Sequence, residues 1–157
     1  MFDTRRLPGS SRYKGGSKSG VKRTEVVLAV VQCGERICVA RRSELVGTSR
    51  GLWSVVMGYV ESGIDPVQQA WTELREELGL QPPNVRLVRG GRSLRLTSPV
   101  SGKRFLVYPF LFSSGVECEV TLNWENSHAA WVEPSRLRDA DCVVWQHDVV
   151  MALLTPS

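Results

Sequence analysis

The chain has 157 residues, of which 42% are hydrophobic, a length typical of one domain and a composition typical of a globular fold. No uninterrupted apolar run approaches the roughly 20 residues that a membrane-spanning helix requires, so the sequence predicts no membrane association. The formal charge is +4, but residues 1–23 carry +6 and the remainder carries −2. The folded body is therefore close to neutral, and the basicity belongs to the N-terminus.

The N-terminal stretch, residues 1–23, is rich in Gly, Ser, Arg and Lys and offers little to bury. We expect a flexible basic arm here, followed by a single domain over residues 24–157. Spaced basic side chains neutralise phosphates without reading base sequence, so the arm is a candidate contact for nucleic acid. An arm that docks on the domain is the alternative.

Four cysteines form no Cys-x-x-Cys pair and have no histidine nearby. We expect them to be small core residues of a protein in a reducing compartment, the cytoplasm, rather than metal ligands or disulfide partners. They are Cys33, Cys38, Cys118 and Cys142.

The first predicted elements form a β-hairpin. Residues 25–32 are rich in Val and Leu and predict a buried strand, with a turn at Gly34 and a partner strand over residues 36–40. A loop over residues 47–51 follows, and residues 52–57 lead into Gly58.

A loop and a helix follow Gly58. Asp65 is a good N-cap, Pro66 suits the first helical position, and Gly79 supplies a stop. One apolar stripe recurs at helical spacing and predicts the core-facing side. It consists of Val67, Trp71, Leu74 and Leu78.

The same helix carries the three helix glutamates, Glu73, Glu76 and Glu77, which we expect on roughly the opposite side. Like charges at i,i+3 and i,i+4 repel by about 0.2–0.5 kcal/mol per pair. The helix dipole also disfavours anions in this C-terminal half. The pattern indicates either a solvated face or a site that holds a cation such as Mg²⁺ or Mn²⁺, which prefer oxygen ligands.

The stretch from Gly58 to Leu80 resembles the Nudix box, whose pattern is Gly-x5-Glu-x7-Arg-Glu-U-x-Glu-Glu-x-Gly-U with U aliphatic. Two positions depart from it: Ile64 stands where the pattern has Glu, and Thr72 stands where it has Arg. In the family those two residues help to orient the catalytic glutamates. The positions that match are Gly58, Glu73, Leu74, Glu76, Glu77, Gly79 and Leu80.

The resemblance implies an α/β fold, a Nudix-like α/β/α sandwich with a mixed β-sheet, over roughly residues 24–155. It implies that the helix glutamates bind Mg²⁺ or Mn²⁺ and take part in catalysis, with Glu73 as the base when it is free of metal. It also adds the carbonyl of Met57 as a ligand, and Glu125 resembles a further acid that some members bring from a loop. By position, Arg42 and Trp53 lie near the substrate, although a strand end and the core are their alternatives.

The remaining elements complete the sheet. We expect strands over residues 85–89, 105–112 and 130–132, a helical turn from Pro134, and a closing helix over residues 143–154. Lys103 and Arg104 belong to a basic hairpin that suits a diphosphate, or they form a charged tip exposed to solvent.

Together these features predict a Mg²⁺- or Mn²⁺-dependent hydrolase of a nucleoside diphosphate linked to another moiety. The alternative is a Nudix-fold module that binds a nucleotide or an RNA end without cleaving it. Ile64 and Thr72 favour the alternative, and the helix glutamates favour the enzyme.

Overall fold

A computed structural model describes residues 22–47 and 49–155 of the chain. Most of the predicted basic arm, residues 1–21, lies outside the described residues. Arg23 is described, and its Nη1 donates hydrogen bonds to the carbonyls of Leu96 and Phe105 at 3.1 and 3.2 Å. The residue that ends the predicted arm is therefore attached to the sheet.

One eight-stranded sheet, two α-helices and a 3₁₀-helix make up the described fold. The strands are β1 Thr24–Cys33, β2 Arg36–Arg42, β3 Trp53–Ser54, β4 Val56–Tyr59, β5 Val85–Gly90, β6 Leu94–Thr97, β7 Arg104–Ser114 and β8 Asn126–Val132. The helices are α1 Pro66–Leu78 and α2 Gln146–Leu154, with the 3₁₀-helix at Pro134–Arg138.

The sheet is mixed, as predicted. Its main path runs β3-β2-β1-β7-β5, while β4 pairs with β1, β6 with β7 and β8 with β2. β1 and β7 run parallel over the register Thr24↔Phe105 to Gln32↔Ser113, and the other strand pairs are antiparallel. The long apolar run of β7 therefore lies inside the sheet, between β1 on one side and β5 and β6 on the other, and both of its faces are covered.

Alternate side chains of β1 enter two separate cores, because successive residues of a strand point to opposite faces. One core, on the α2 face of the sheet, lies under α2 and the 3₁₀-helix, and the other, on the α1 face, lies under α1. Val26, Leu28 and Val30 enter the first, and Val27, Ala29 and Val31 enter the second. The α/β/α sandwich is confirmed.

The closing helix begins later than predicted, at Gln146 rather than at residue 143. Trp53 in β3 explains the difference: its N–H donates to the carbonyl of Asp141 at 2.8 Å, and its carbonyl accepts from the N–H of Val143 at 3.0 Å. This pairing with an extended neighbour keeps Val143 out of the helix, although the apolar run Val143-Val144-Trp145 suits one.

The expected core role is confirmed for Cys38 and Cys142, which lie in the two cores, whereas Cys33 belongs to neither. All four are free, with Cys38 and Cys142 buried and the other two partly buried. Among the described residues, no helix has the length and apolarity to cross a membrane.

Candidate metal and substrate site

Helix α1 begins and ends at the predicted residues. The carboxylate of Asp65 accepts a hydrogen bond from the N–H of Val67 at 3.0 Å, and Pro66 follows as the first helical residue. Gly79 adopts φ 68°, a left-handed conformation, and its N–H donates to the carbonyl of Arg75. These local signals place the helix glutamates along one defined segment.

The expected placement of the helix glutamates opposite the apolar stripe is wrong for two of the three. Glu73 is 0% exposed and Glu77 is 7% exposed, so both carboxylates enter the interior beside Leu74 and Leu78. Glu76 alone of the three is exposed. Helical periodicity assigns polar residues to solvent, but here the sheet under α1 accommodates the two acids.

Gly58 of β4 provides the space for Glu73. A Cβ atom built on Gly58 would lie 2.2 Å from Cδ of Glu73 and 2.5 Å from its Oε1, far closer than atoms approach without bonding. Gly58 pairs with Val27 at the middle of β1, on the α1 face. The glycine thus holds the Glu73 carboxylate directly against the sheet.

Gln69, one turn before Glu73, contacts the same carboxylate. Its Nε2 donates to Oε2 of Glu73 at 2.8 Å, and its Oε1 accepts from the N–H of Glu61 at 3.1 Å. The Gln69 side chain is 1% exposed. It therefore links the loop after β4 to the buried acid.

The segment before β8 approaches the C-terminal part of the same helix face. Asn126 is buried, and its Nδ2 donates to Oε1 of Glu77 at 3.4 Å. Glu125, which is 6% exposed, accepts at Oε1 from Nδ2 of Asn123 at 3.1 Å, and its carbonyl accepts from the N–H of Ser43 at 2.8 Å. The structure thus places Glu125 one residue from the partner of Glu77.

Arg42, at the end of β2, is opposite Asn126 in the ladder, after a register shift between Arg41 and Arg42. It is half-buried. The end of β2, the start of β8 and Glu77 of α1 are therefore adjacent. We use the name glutamate site for the five sequence-predicted residues on and beside these elements: Glu73, Glu76, Glu77, Glu125 and Arg42.

The family model for the NUDIX domain matches residues 21–154. The chain belongs to the NUDIX domain family. The helix glutamates are thus the acids of the Nudix box in a Nudix-type hydrolase domain. A search of curated proteins found no match in sequence.

Solved structures agree with this assignment at the level of the fold. The MutT protein from Methanosarcina mazei Go1 superposes with a TM-score of 0.66 at 19% identity, covering 85% of this chain and 96% of its own. An Ap4A hydrolase from C. elegans gives 0.57 at 17% identity, covering 83% and 85%. A bifunctional NMN adenylyltransferase/ADP ribose pyrophosphatase from Francisella tularensis, solved with AMP and a manganese ion, gives 0.69 at 16% identity, covering 92% of this chain and 44% of its own.

The two departures from the Nudix box have ordinary structural roles. Ile64 is 41% exposed. Thr72 donates its hydroxyl to the carbonyl of Gln68 at 3.1 Å, within its own helix. Asp65 caps the helix through Val67, which is its observed contact. In this Nudix domain, Gln69 donates a hydrogen bond to the carboxylate of Glu73.

The other sequence-predicted substrate residues lie apart from the glutamate site. Trp53 is half-buried and packs in the core on the α2 face, the opposite side of the sheet from α1. Lys103 and Arg104 are exposed on the β6–β7 hairpin. Strand β1 separates β7 of this hairpin from β2, the strand that ends at Arg42. Met57 contributes its side chain to the α2-face core.

The donor chemistry of the glutamate site suits a hard divalent cation, because carboxylate oxygens are the preferred ligands of Mg²⁺ and Mn²⁺. The close fit of Gly58 against Glu73 shows that the fold accommodates a carboxylate there. Within residues 22–47 and 49–155, however, no three His, Cys, Asp or Glu side chains are already gathered as a metal centre. The ligand types fit the ion, and its binding requires the carboxylates to converge.

Sequence reasoning missed Gln69 and Asn126. Gln69 is four residues before Glu73, and such i,i+4 pairs meet on a helix, so the spacing was available as a signal. Asn126 is 49 residues from Glu77, and only its adjacency to Glu125 could have suggested it.

Proposed function

We propose that this domain hydrolyses a phosphoanhydride bond in a nucleoside diphosphate linked to another moiety, with Mg²⁺ or Mn²⁺ as cofactor. The observation that carries the proposal is the burial of Glu73 and Glu77 on the α1 face. Glu77 also lies in the last turn of α1, where the dipole disfavours anions. Burial of carboxylates is costly, and a bound cation compensates for that cost.

The residues that would hold the cation are the helix glutamates and Glu125, together with the carbonyl of Met57. When bound, a divalent cation lowers the pKa of a coordinated water molecule and neutralises charge that develops on the phosphate oxygens. Glu73 is the proposed base when it is free of the metal, and its carboxylate would then accept the proton of the attacking water.

The proposed substrate contacts are cationic side chains. Arg42 lies beside Asn126 at the glutamate site and would bind a phosphate through its planar guanidinium. Lys103 and Arg104 would attract the diphosphate from the β6–β7 hairpin. Trp53 does not belong to this set, because it packs on the other face of the sheet.

A substrate panel tests this function. Dinucleotide polyphosphates, ADP-ribose, nucleotide sugars, reduced nicotinamide dinucleotide, capped RNA and nucleoside triphosphates are each incubated with Mg²⁺ or Mn²⁺, and phosphate-containing products are measured. Glu77→Gln should abolish metal-dependent turnover, whereas Glu117→Gln, at an exposed position, should retain it. Equal turnover by the two variants would refute the site.

A binding module without catalysis is the second candidate, favoured by the exposure of Ile64 and by the bond of Thr72 within its own helix. It predicts saturable binding of a panel nucleotide and no product with either metal. Product formation by the wild-type chain that Glu77→Gln loses excludes this candidate.

Contact with nucleic acid through the basic arm is a separate part of the proposal. Deletion of residues 1–21 leaves Arg23 attached to β6 and β7. RNA affinity should fall and its steep salt dependence should disappear in the truncated chain, because fewer counterions are released. Undiminished RNA binding would show that the arm is not the contact.

A further inference from the structure

Gln69 connects Glu73 of the glutamate site to the loop after β4 through one buried side chain. Its Nε2 donates to Oε2 of Glu73 at 2.8 Å, and its Oε1 accepts from the N–H of Glu61 at 3.1 Å. The side chain is 1% exposed, so water does not replace either bond. One planar amide therefore makes hydrogen bonds to both Glu73 and the backbone of Glu61.

The two partners make opposite demands on this amide. An ionised carboxylate can only accept hydrogen bonds, and a backbone N–H can only donate one. A side-chain amide offers a donor and an acceptor at once. A carboxylate at the same position could not donate to Glu73, and an aliphatic chain could bond to neither partner. The arrangement also fixes which end of the Gln69 amide faces Glu73.

We propose that Gln69 is a positioning residue that sets the orientation of the Glu73 carboxylate for cation binding and for removal of the water proton. Its hydrogen bond to Oε2 restricts rotation of the planar carboxylate of Glu73. At the two departing positions of the box, Thr72 donates its hydroxyl to the carbonyl of Gln68, and Ile64 is an apolar side chain that is 41% exposed. The inference rests on the proposed function and names a residue through which that function operates.

A purely structural role for Gln69 is the competing explanation, in which it only anchors the loop after β4 through Glu61. The two roles use different atoms of the side chain. Gln69→Glu retains an acceptor for the N–H of Glu61 but replaces the donor to Glu73 with a second carboxylate oxygen. Gln69→Leu removes both bonds, and Gln68→Leu is the matched control at the adjacent exposed position.

The experiment measures kcat and KM on the panel substrate that the wild-type chain cleaves, and measures Mn²⁺ affinity directly by electron paramagnetic resonance. For Gln69→Leu we expect Mn²⁺ affinity or kcat to fall by about 10–100-fold, the usual effect of losing a hydrogen bond to a metal ligand. We expect kcat of Gln69→Glu to fall at least as far, with KM changed little in both. Gln68→Leu should match the wild type.

The outcomes separate the two proposals. If the wild-type chain binds Mn²⁺ and cleaves substrate but folded Gln69→Leu does both equally well, the positioning role is overturned and the proposed function stands. Wild-type kcat in Gln69→Glu alone would also overturn it in favour of loop anchoring. If the wild-type chain neither binds Mn²⁺ nor cleaves any substrate, the proposed function fails and this inference fails with it. Should Gln69→Leu not fold, Gln69→Met replaces it in the same comparison.

Discussion

Gly58 and Glu73 occupy complementary positions, since the carboxylate fills the space that a side chain on Gly58 would need. A Cβ atom there would lie 2.2 Å from Cδ of Glu73. The first glycine of the box and its first helix glutamate are 15 residues apart in sequence, yet the pairing of β4 with β1 and the packing of α1 on both strands bring them into contact. The observed position of the Glu73 carboxylate is therefore compatible only with a residue that has no side chain at position 58.

Gly58→Ala should damage both stability and turnover. The added methyl group forces Glu73 or β4 to move, and overpacking of this kind usually costs about 1–3 kcal/mol of unfolding free energy. We expect a lower midpoint in thermal unfolding and loss of most metal-dependent activity.

Gly115→Ala is the matched control for that substitution, because a Cβ atom on Gly115 meets no atom within 4 Å and its φ is not left-handed. It should resemble the wild type in both measurements. If Gly58→Ala also retained wild-type stability and turnover, the close fit of Gly58 and Glu73 would be shown to contribute to neither.

The local part of this architecture follows from sequence, and the buried part does not. Asp65, Pro66 and Gly79 are capping signals that act within a few residues, so the ends of α1 were predictable. The burial of Glu73 and Glu77 depends on partners from β4 and from the start of β8. The spacing of residues within α1 carries no information about these distant strands.

The start of α2 shows the same limit. The apolar residues before Gln146 suit a helix, but their backbone groups pair with Trp53, which lies 90 residues earlier than Val143. The long strands β1 and β7 were predicted closely, because their runs are apolar on both faces. The strand predicted over residues 130–132 begins earlier, at Asn126.

Arg42→Ala should raise KM for a diphosphate substrate by about tenfold or more, since loss of one charge-assisted contact costs about 1.5–3 kcal/mol. Arg41→Ala is the control, because the Nε of Arg41 is directed to the carbonyl of Gly51 at 3.1 Å and the side chain is exposed. Steady-state kinetics of both variants test the assignment. A larger KM change in Arg41→Ala than in Arg42→Ala would contradict it.

Cys38 should be inert towards thiol reagents in the folded protein. Burial, with a smaller contribution from Cys118, raises the pKa of Cys38 to about 12, so the thiolate that reacts is scarce at pH 8. Because the folded pKa exceeds the ordinary value of 9.0, the contribution of the Cys38 thiol to the free energy of unfolding is fully present below pH 9. It is lost as pH rises towards 12.

Mass spectrometry after brief alkylation at pH 8 checks this expectation. Partly buried Cys33 should be labelled well before Cys38 and Cys142, and denaturant should make all of them reactive. Preferential labelling of Cys38 in the native protein would contradict the burial argument.

The Arg136–Asp141 pair should contribute to stability only above acidic pH. Two hydrogen bonds from the guanidinium, at 2.7 and 2.9 Å, hold the pKa of Asp141 below its usual value of 3.8. A lowered folded pKa means that the stabilisation is present above about pH 4 and is lost as pH falls through the folded value. The pair also joins the 3₁₀-helix to the segment that contacts β3.

Asp141→Asn should therefore lower the thermal midpoint near pH 7, and the difference from wild type should shrink as the pH falls below 4. Glu119→Gln, at an exposed position, serves as the control and should follow the wild-type profile. A difference that stayed constant from pH 7 to pH 2 would exclude an electrostatic origin.

The central claim is that the buried acids of α1 bind a divalent cation. The most direct test is an anomalous difference map from a crystal of the wild-type protein grown with Mn²⁺. We predict a manganese peak within coordination distance of carboxylate oxygens from Glu73 and Glu77, and no peak at that place in Glu77→Gln. Buried, ordered carboxylates with no manganese between them at millimolar Mn²⁺ would contradict the claim.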